Sequence, residues 1–229
     1  YTSANYGVTW TLQSSAPTNA SWQSVASSSS GSQLLAVQNG GGIYTSANYG
    51  ATWSLQTGVP TNASWQSVVV TYNGARMYAA QSSGGFYAST NNGASWVFLA
   101  NAPNNIQSVT VSSDGSKLAL VENGNGNLVY TSSDFGINWI QQTNSVGGYC
   151  CVASSADGSR LLAVQYGGSI YTSSNFGSSW IQKTNAGLAS WCAVSSSSDG
   201  GKLVVVDNVN GPYASANYGN SWSQGKVAI

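Results

Sequence analysis

An eight-residue segment recurs six times along this chain of 229 residues, and successive copies start 41 to 43 residues apart. Every copy begins with Ser, carries Gly at its fifth position and ends with Trp, and a Tyr stands two residues before it. Self-similarity at a fixed period of this size is typical of repeat proteins, in which each repeat forms one supersecondary unit. The copies are SANYGVTW, SANYGATW, STNNGASW, SSDFGINW, SSNFGSSW and SANYGNSW, which end at Trp10, Trp53, Trp96, Trp139, Trp180 and Trp222.

Each interval between these segments divides into four short β-strands. In the first complete repeat they are predicted at residues 22–27, 33–38, 42–46 and 52–56, where apolar and polar residues alternate with the period of a pleated strand. No stretch has helical periodicity. Four-stranded units repeated at this length indicate the blades of a β-propeller. The fold class is therefore predicted to be all-β, a propeller of four-stranded antiparallel blades.

The number of blades depends on how residues 1–13 are used. Five complete repeats follow this N-terminal segment, so a five-bladed ring leaves it as surplus or as a replacement strand in the closing blade. A six-bladed ring lacks the first two strands of one blade, which leaves unpaired backbone groups facing the central tunnel. We therefore predict a single propeller domain over residues 1–229 with five blades, and six blades are the alternative.

Asp-Gly pairs stand between the first and second strands of three repeats. Such a pair between short alternating runs predicts a tight hairpin with a type I′ turn, because both central residues of that turn need positive φ. The pairs are Asp114-Gly115, Asp157-Gly158 and Asp199-Gly200.

The recurring segment resembles the Asp-box, also called the bacterial neuraminidase repeat, with the pattern S-x-D-x-G-x-T-W. The resemblance covers the whole chain and implies that the segment joins the third and fourth strands of each blade. Asn or Asp at the third position is expected to bond forward to backbone N–H groups, and Gly to supply positive φ. The final Trp is expected to fill the wedge between blades. The segments are thus predicted to be fold elements and not active-site residues.

Charge is sparse, with six basic residues, six acidic residues and no His. Nucleic-acid binding needs a basic field that releases counterions, so this partner is excluded. No apolar run reaches the roughly 18 residues of a membrane span, so membrane insertion is not expected. A polar, nearly uncharged surface favours a secreted or cell-surface protein that binds glycans or glycoproteins, with self-association as a further expectation.

The chain has too few of the side chains that catalysis needs. The resemblance to sialidases implies three arginines around a substrate carboxylate, whereas this chain has only Arg76 and Arg160. A glycosidase needs two carboxylates flanking one bond. Four of the six acids belong to predicted turns, which leaves Glu122 and Asp207, two repeats apart. Without His, no serine-hydrolase or zinc constellation is supported, and no catalytic residue, metal or cofactor is predicted.

A binding face is predicted where the four-to-one and two-to-three loops meet, opposite the Asp-boxes. There most repeats present an aromatic residue at the start of strand one and an amide after strand two, a pair that suits an uncharged sugar. The third repeat has Ile106 with Glu122 and is expected to bind more weakly, and the last has Asp207 in place of the amide. The predicted ligand-binding residues are Trp22, Gln38, Trp65, Gln81, Tyr149, Gln165 and Trp191.

Two alternatives stay open at this point. The aromatic residues can instead plug the tunnel or pack between blades, and the glutamines can satisfy loop backbone groups. The favoured function is a non-enzymatic, lectin-like or adhesion module with repeated shallow sites. The alternative is a building block of an extracellular filament, sheath or surface layer, or a protein-interaction scaffold.

Two further residue sets carry predictions. Asn19 and Asn62 lie in N-x-Ser triplets at equivalent points of two repeats and are candidate N-glycosylation sites. Cys150, Cys151 and Cys192 are predicted to be free, buried thiols, with the side chains of the adjacent Cys150 and Cys151 on opposite sides of their strand. A strained vicinal disulfide is the alternative for that adjacent pair.

Overall fold

The computed structural model describes residues 1–123, 126, 128–143 and 147–225. It divides the chain into two compact units, Tyr1–Leu99 and Ala100–Ile229. Regular structure in the described part is antiparallel β-sheet, apart from one 3₁₀ helix at Thr184–Ala186. The prediction of an all-β chain is confirmed.

The first unit contains one eight-stranded sheet and an N-terminal pair. In the sheet the strand order is β4-β3-β2-β5-β6-β7-β8, and β1 pairs with β2 beside this path. Ahead of the sheet, Thr2 pairs with Thr11 in an isolated bridge. The strands are β1 (Trp22–Ser27), β2 (Leu34–Gly41), β3 (Ile43–Ser46), β4 (Ser54–Leu55), β5 (Ala63–Val70), β6 (Met77–Gln81), β7 (Phe86–Ser89) and β8 (Val97–Phe98).

The second unit contains a four-stranded sheet, β9 to β12 in sequence order, and an eight-stranded sheet in the order β16-β15-β14-β17-β18-β19-β20, with β13 paired to β14. The strands are β9 (Ile106–Val111), β10 (Leu118–Glu122), β11 (Val129–Ser132), β12 (Ile140–Gln141), β13 (Tyr149–Ser154), β14 (Leu161–Gly168), β15 (Ile170–Ser173), β16 (Ile181–Lys183), β17 (Ala189–Ser196), β18 (Leu203–Asp207), β19 (Gly211–Ser215) and β20 (Ser223–Gln224).

Each repeat supplies four of these strands, as predicted, and the recurring segment joins the third to the fourth. The strands differ from the predicted bounds mainly at the fourth position, where only Ser54–Leu55 of the predicted 52–56 is a strand. In every eight-stranded sheet the second strand of one repeat also pairs with the first strand of the next. Asn39 lies opposite Ser64, and Tyr166 opposite Ser190. This pairing joins the second strand of one repeat to the first strand of the following repeat.

The Asp-Gly turns differ from the predicted type. Gly115 has a φ of 82°, but Asp114 is not among the residues with positive φ, so the type I′ prediction is wrong. Gly115 N–H donates to Ser112 O at 3.0 Å, which makes Asp114 the third residue of a four-residue turn that ends at Gly115. Gly at the last position of such a turn is the common arrangement when the central residues keep negative φ. The Asp side chain then accepts hydrogen bonds from Ser112 and Ser116 and holds the turn.

The core of each unit lies between the strands of neighbouring repeats. In the first unit Leu35, Val37 and Ile43 pack against Trp65 and Val68 of the next repeat. In the second unit Leu162, Val164 and Ile170 pack in the same way against Trp191 and Leu203. Every one of these side chains is buried, because alternate residues of a twisted strand face the neighbouring repeat. Burial of each such aliphatic side chain contributes about 1.5–3 kcal/mol.

The three cysteines are free, as predicted, but their placement differs from the prediction. Cys192 is exposed, and Cys150 and Cys151 are only partly buried. The ladder between β13 and β14 shifts register between Tyr149 and Cys151. Cys150 Sγ lies 3.3 Å from Trp191 O, and Cys151 Sγ lies 3.2 Å from Cys192 O, so both thiols face backbone carbonyls of the next repeat.

Candidate functional site

Three of the predicted ligand-binding aromatics lie in the core. Trp65, Tyr149 and Trp191 have no exposed surface, so the prediction that they stack on a ligand is wrong for these three. Each packs edge-on against the Tyr of strand three in its own repeat, for example Trp65 against Tyr87 with ring centroids 5.4 Å apart. The indoles of Trp65 and Trp191 also donate to backbone carbonyls of the preceding repeat, at 3.1 and 3.0 Å.

The glutamines after strand two support loops. Gln81 Oε1 accepts a hydrogen bond from Gly85 N–H at 3.0 Å, and Gln165 Oε1 accepts one from Ser169 N–H at 3.1 Å. Both bonds close the hairpin between strands two and three. Gln81 is buried and Gln38 partly buried, and neither Nε2 group has a hydrogen-bond partner. The structure therefore favours the loop-supporting alternative for Gln81 and Gln165.

Trp22 differs from its equivalents because 40% of its surface is exposed. Trp65 and Trp191 bond to carbonyls 24 and 23 residues earlier, at the end of the preceding second strand. The segment before Trp22 contains the Thr2–Thr11 pair and no such strand. A cleft of about 350 Å³ results, and no charged side chain lines it. Its lining is Tyr1, Gln13, Ala16, Trp22, Gln23, Ser24, Val25, Ala36 and Trp53.

A second cleft opens in the third repeat, beside Ile106. In the other four repeats an aromatic ring of strand one contacts the strand-three Tyr edge-on. Ile106 is buried at this position and is too small to cover Tyr130 in the same way. A shallow cleft with a volume of about 390 Å³ lies in this repeat, beside Tyr130. Its lining is Asn101, Ala102, Pro103, Asn104, Asn105, Glu122, Tyr130 and Trp139, which we call the Glu122 cleft.

Loop and strand geometry positions the polar groups of the Glu122 cleft. Glu122 ends β10, directly opposite Ile106, where the ladder has a bulge. Asn105 has a φ of 58°, and its carbonyl accepts a hydrogen bond from Asn123 N–H, which ties the four-to-one loop to the end of strand two. Asn101 Nδ2 donates to Ile137 O at 3.1 Å. The cleft thus brings together the two kinds of loop that were predicted to share one face.

Electrostatics single out Glu122 among the acids. Partial burial raises the pKa of Glu122, against a weaker opposing effect of a hydrogen bond that its carboxylate accepts from the backbone N–H of Leu128. Burial and the nearby Glu122 charge together raise the pKa of Tyr130. The Tyr130 hydroxyl donates a hydrogen bond to Gln141 Oε1 at 3.5 Å.

The other five acids serve turns and loops. Hydrogen bonds from Ser112 and Ser116 lower the pKa of Asp114 to about 2, and those from Ser155 and Ser159 do the same for Asp157. The remaining three are similarly engaged: Asp134 by Asn138, Asp199 by Ser197, and Asp207 by Ser190 and Asn210. Within the described residues, no group of three His, Cys, Asp or Glu side chains is arranged to hold a metal.

The recurring segments share one hydrogen-bond pattern, seen at residues 173–180. Gly177 N–H donates to Ser173 Oγ at 2.9 Å, and Ser173 Oγ donates to Asn175 Oδ1 at 2.9 Å. Asn175 Oδ1 also accepts from Ser179 N–H at 2.9 Å. Phe176 and Gly177 both have positive φ, at 55° and 84°. The side chain of the third position therefore closes the turn, as predicted, but it reaches four residues ahead.

A family model, described as BNR-Asp box repeat, matches residues 129–143. This match covers the fourth of the six recurring segments, residues 132–139. No curated protein matches its sequence. In the described residues, no helix has the length and apolarity needed to cross a membrane.

Solved structures that resemble this chain are β-propellers. A GH74 xyloglucanase from Xanthomonas campestris aligns with a TM-score of 0.73 at 13% identity, over 89% of this chain and 38% of that one. YCF48 from Cyanidioschyzon merolae aligns with a TM-score of 0.67 at 15% identity, over 90% and 72%. A chain of the nidogen/laminin complex gives 0.69 at 15%, over 89% and 78%. The chain thus spans well under half of the xyloglucanase, and the likeness shows the β-propeller fold alone.

Two features of the Asp-box repeats bear on their surfaces. Asn19 and Asn62, the candidate glycosylation sites, are both exposed.

Cations recur at the end of the strand-one turn, at Arg76, Lys117, Arg160 and Lys202. Lys117 lies over the ring of Phe176 at 5.7 Å, and Arg160 over Tyr218 at 4.3 Å, each in the Asp-box of the next repeat. Sequence reasoning missed this contact, although the shared repeat position of the cations signals it.

Proposed function

We propose that this Asp-box propeller is a non-catalytic carbohydrate-binding module whose principal site is the Glu122 cleft. The observation that carries the proposal is the lining of this cleft, which places the partly exposed rings of Tyr130 and Trp139 beside hydrogen-bonding groups. Tyr130 and Trp139 offer ring surfaces for the C–H face of a sugar. The Asn amides and the Glu122 carboxylate offer donors and acceptors for hydroxyl groups.

The proposal reverses the expected ranking of the repeats. The third repeat was expected to bind weakly because it lacks the strand-one aromatic. That aromatic is a core residue in three of the other four repeats, so its absence does not remove a ligand contact from the Glu122 cleft. We therefore propose single sites in the repeats that differ from the shared pattern, instead of one equivalent site in every repeat.

We expect no glycosidase activity, because the Glu122 cleft has one carboxylate where a glycosidase needs two. Cleavage of a glycosidic bond requires a second carboxyl group about 5–10 Å from the first. Glu122 is the only acid that lines the cleft, and the other acids hold turns or loops through their side-chain oxygens. A single carboxylate with a raised pKa can bind hydroxyl groups, but it cannot supply both chemical roles.

The cleft at Trp22 is proposed as a second site of the same function. It combines three aromatic residues with Gln13, Gln23 and Ser24, and it holds no charge. This composition suits a neutral sugar and retains the stacking role predicted for Trp22. The two clefts lie in different units and are tested by separate variants.

The test is a glycan array followed by calorimetric titration of the selected oligosaccharide. Xyloglucan oligosaccharides belong on the array because one structural neighbour is a xyloglucanase. Ile106→Trp restores the residue type of the neighbouring repeats and is expected to fill the Glu122 cleft and abolish binding there. Glu122→Gln should weaken binding about tenfold, because a hydrogen bond to a charged group contributes about 1.5–3 kcal/mol.

Matched variants separate the two clefts. Trp22→Ala should remove binding at the second cleft only, whereas Trp10→Ala, an exposed Trp outside both clefts, should change neither. Asp199→Asn, in an exposed turn, controls for loss of one negative charge. The proposal fails if Ile106→Trp and Trp22→Ala both leave binding unchanged, or if incubation with the protein shortens the oligosaccharide.

A further inference from the structure

A third cleft, separate from both carbohydrate sites, lies in the second unit between the fourth and fifth repeats. Its volume is about 250 Å³, and it is on the side of the Asp-boxes. Two cations line it, although the whole chain has only six. The residues used below are Arg160, Lys183, Thr172, Ser174, Tyr218 and Asn220.

Arg160 is held at its stem and open at its guanidinium edge. Its backbone N–H donates to Ser155 Oγ at 3.0 Å, and its stem passes close to Gly200, where an added Cβ would lie 2.7 Å from Arg160 Cδ. The guanidinium stacks on Tyr218 at 4.3 Å. Stacking uses the face of the group, which leaves its in-plane N–H donors directed outward.

Lys183 supplies the second charge from the end of β16. Its ammonium group donates one hydrogen bond to Asn220 Oδ1 at 3.0 Å, and an ammonium has two further donors. Thr172 and Ser174 add hydroxyl groups to the same lining. The lining of the cleft therefore combines two cations with hydroxyl groups and includes no carboxylate.

The nearest acids belong to the adjoining turns. Asp157 accepts hydrogen bonds from Ser155 and Ser159, and Asp199 from Ser197 and Gly201. Their oxygens are committed to their own turns, and neither residue lines the cleft. They reduce the positive potential without occupying the donors.

We propose that this cleft is a binding site for a tetrahedral oxyanion, either sulfate or phosphate, held by Arg160 and Lys183. Two cations and several hydroxyl groups match the oxygens of such an anion, and Arg supplies a planar fork for two of them. The site is independent of the carbohydrate clefts, so failure of either proposal leaves the other standing.

The test is thermal unfolding of the complete chain in sodium sulfate, sodium phosphate and sodium chloride at matched ionic strength. Sulfate also stabilises proteins non-specifically, so the informative quantity is the rise in Tm that a variant loses. A site filled at about ten times its Kd should raise the wild-type Tm by roughly 3 °C beyond that general effect. The sulfate and phosphate arms establish which anion is preferred.

Variants assign the effect to the cleft. Arg160→Gln and Lys183→Gln should each lose the specific rise. Lys117→Gln should keep it, because Lys117 occupies the same repeat position over Phe176 but does not line the cleft. The ammonium group of Lys183 bonds to the exposed Asn220, so the Lys183 variant remains informative if Arg160→Gln does not fold. Equal rises in wild type and Lys183→Gln would overturn the proposal, as would equal effects of sulfate and chloride on the wild type.

Discussion

At the scale of single residues, the Asp-box Ser is the central group of each turn. In all six copies its hydroxyl accepts from the Gly N–H and donates to the Asn or Asp side chain. The sequence predicted the role of Asn and Gly correctly. It did not predict that the residue before Gly also takes positive φ, because Tyr and Phe rarely adopt that conformation and only the closed turn enforces it.

Removal of this hydroxyl is expected to destabilise the fold without changing it. Ser173→Ala leaves the buried N–H of Gly177 without a partner and should lower the free energy of unfolding by about 1–3 kcal/mol. Asn175→Asp keeps the accepting oxygen and should cost less than about 1 kcal/mol. Urea unfolding of the two variants measures the difference. Equal losses would contradict the assigned role of Ser173.

The turn aspartates predict sensitivity to acid. Hydrogen bonds lower the pKa of Asp114 and Asp157 in the folded state from 3.8 to about 2. Their contribution to stability is therefore complete above about pH 4 and is lost as the pH falls toward 2. The Tm should drop across this window, and the drop should be smaller in an Asp114→Asn, Asp157→Asn double variant. An identical pH profile for the double variant would exclude these residues as the cause.

The charge on Glu122 should change stability with pH in the opposite direction. Its pKa is raised in the folded state, so the protonated form is favoured and stability falls as the pH rises from 4.5 through the folded pKa. Glu122→Gln should therefore increase the Tm at neutral pH while weakening sugar binding, and the increase should vanish at low pH. A lower Tm for Glu122→Gln at neutral pH would contradict the idea that the Glu122 carboxylate lowers stability and is retained for sugar binding.

At the scale of strands, the repeat period predicts the four-stranded unit and most strand bounds. It could not predict which strand-one aromatics are exposed, because burial depends on the preceding repeat. Trp65 has a carbonyl of that repeat as its partner, whereas Trp22 follows a segment without the corresponding strand. The bulge after each strand-one aromatic was also missed, since its signal is a single extra residue in one strand.

This difference predicts unequal costs for two matched substitutions. Trp65→Ala should destabilise the fold by about 3–5 kcal/mol, as expected for a large buried aromatic side chain. Trp22→Ala should cost far less, because its ring is partly exposed and packs edge-on against Tyr44 at the open side of the cleft. Chemical unfolding of the purified variants compares the two. Similar losses would mean that Trp22 is a packing residue and would remove it from the proposed second site.

At the scale of the whole molecule, the β-propeller fold followed from the repeat, and the proposed function follows from departures from the repeat. Equivalent positions carry fold residues, including the aromatics, amides and cations that recur. The Glu122 cleft lies in the repeat in which Ile106 breaks the pattern, and a sequence rule built on shared positions ranked that repeat as weak. Five blades in a single domain remain our prediction, and a crystal structure that shows six evenly spaced blades would replace it.

The most direct test of carbohydrate binding at the Glu122 cleft is a crystal structure of the protein soaked with the oligosaccharide that the array selects. We predict one sugar ring against Tyr130 and Trp139, with a hydroxyl group hydrogen-bonded to Glu122 and an intact glycosidic bond. Sugar density confined to the Asp-box side, or a cleaved product in the Glu122 cleft, would contradict the account.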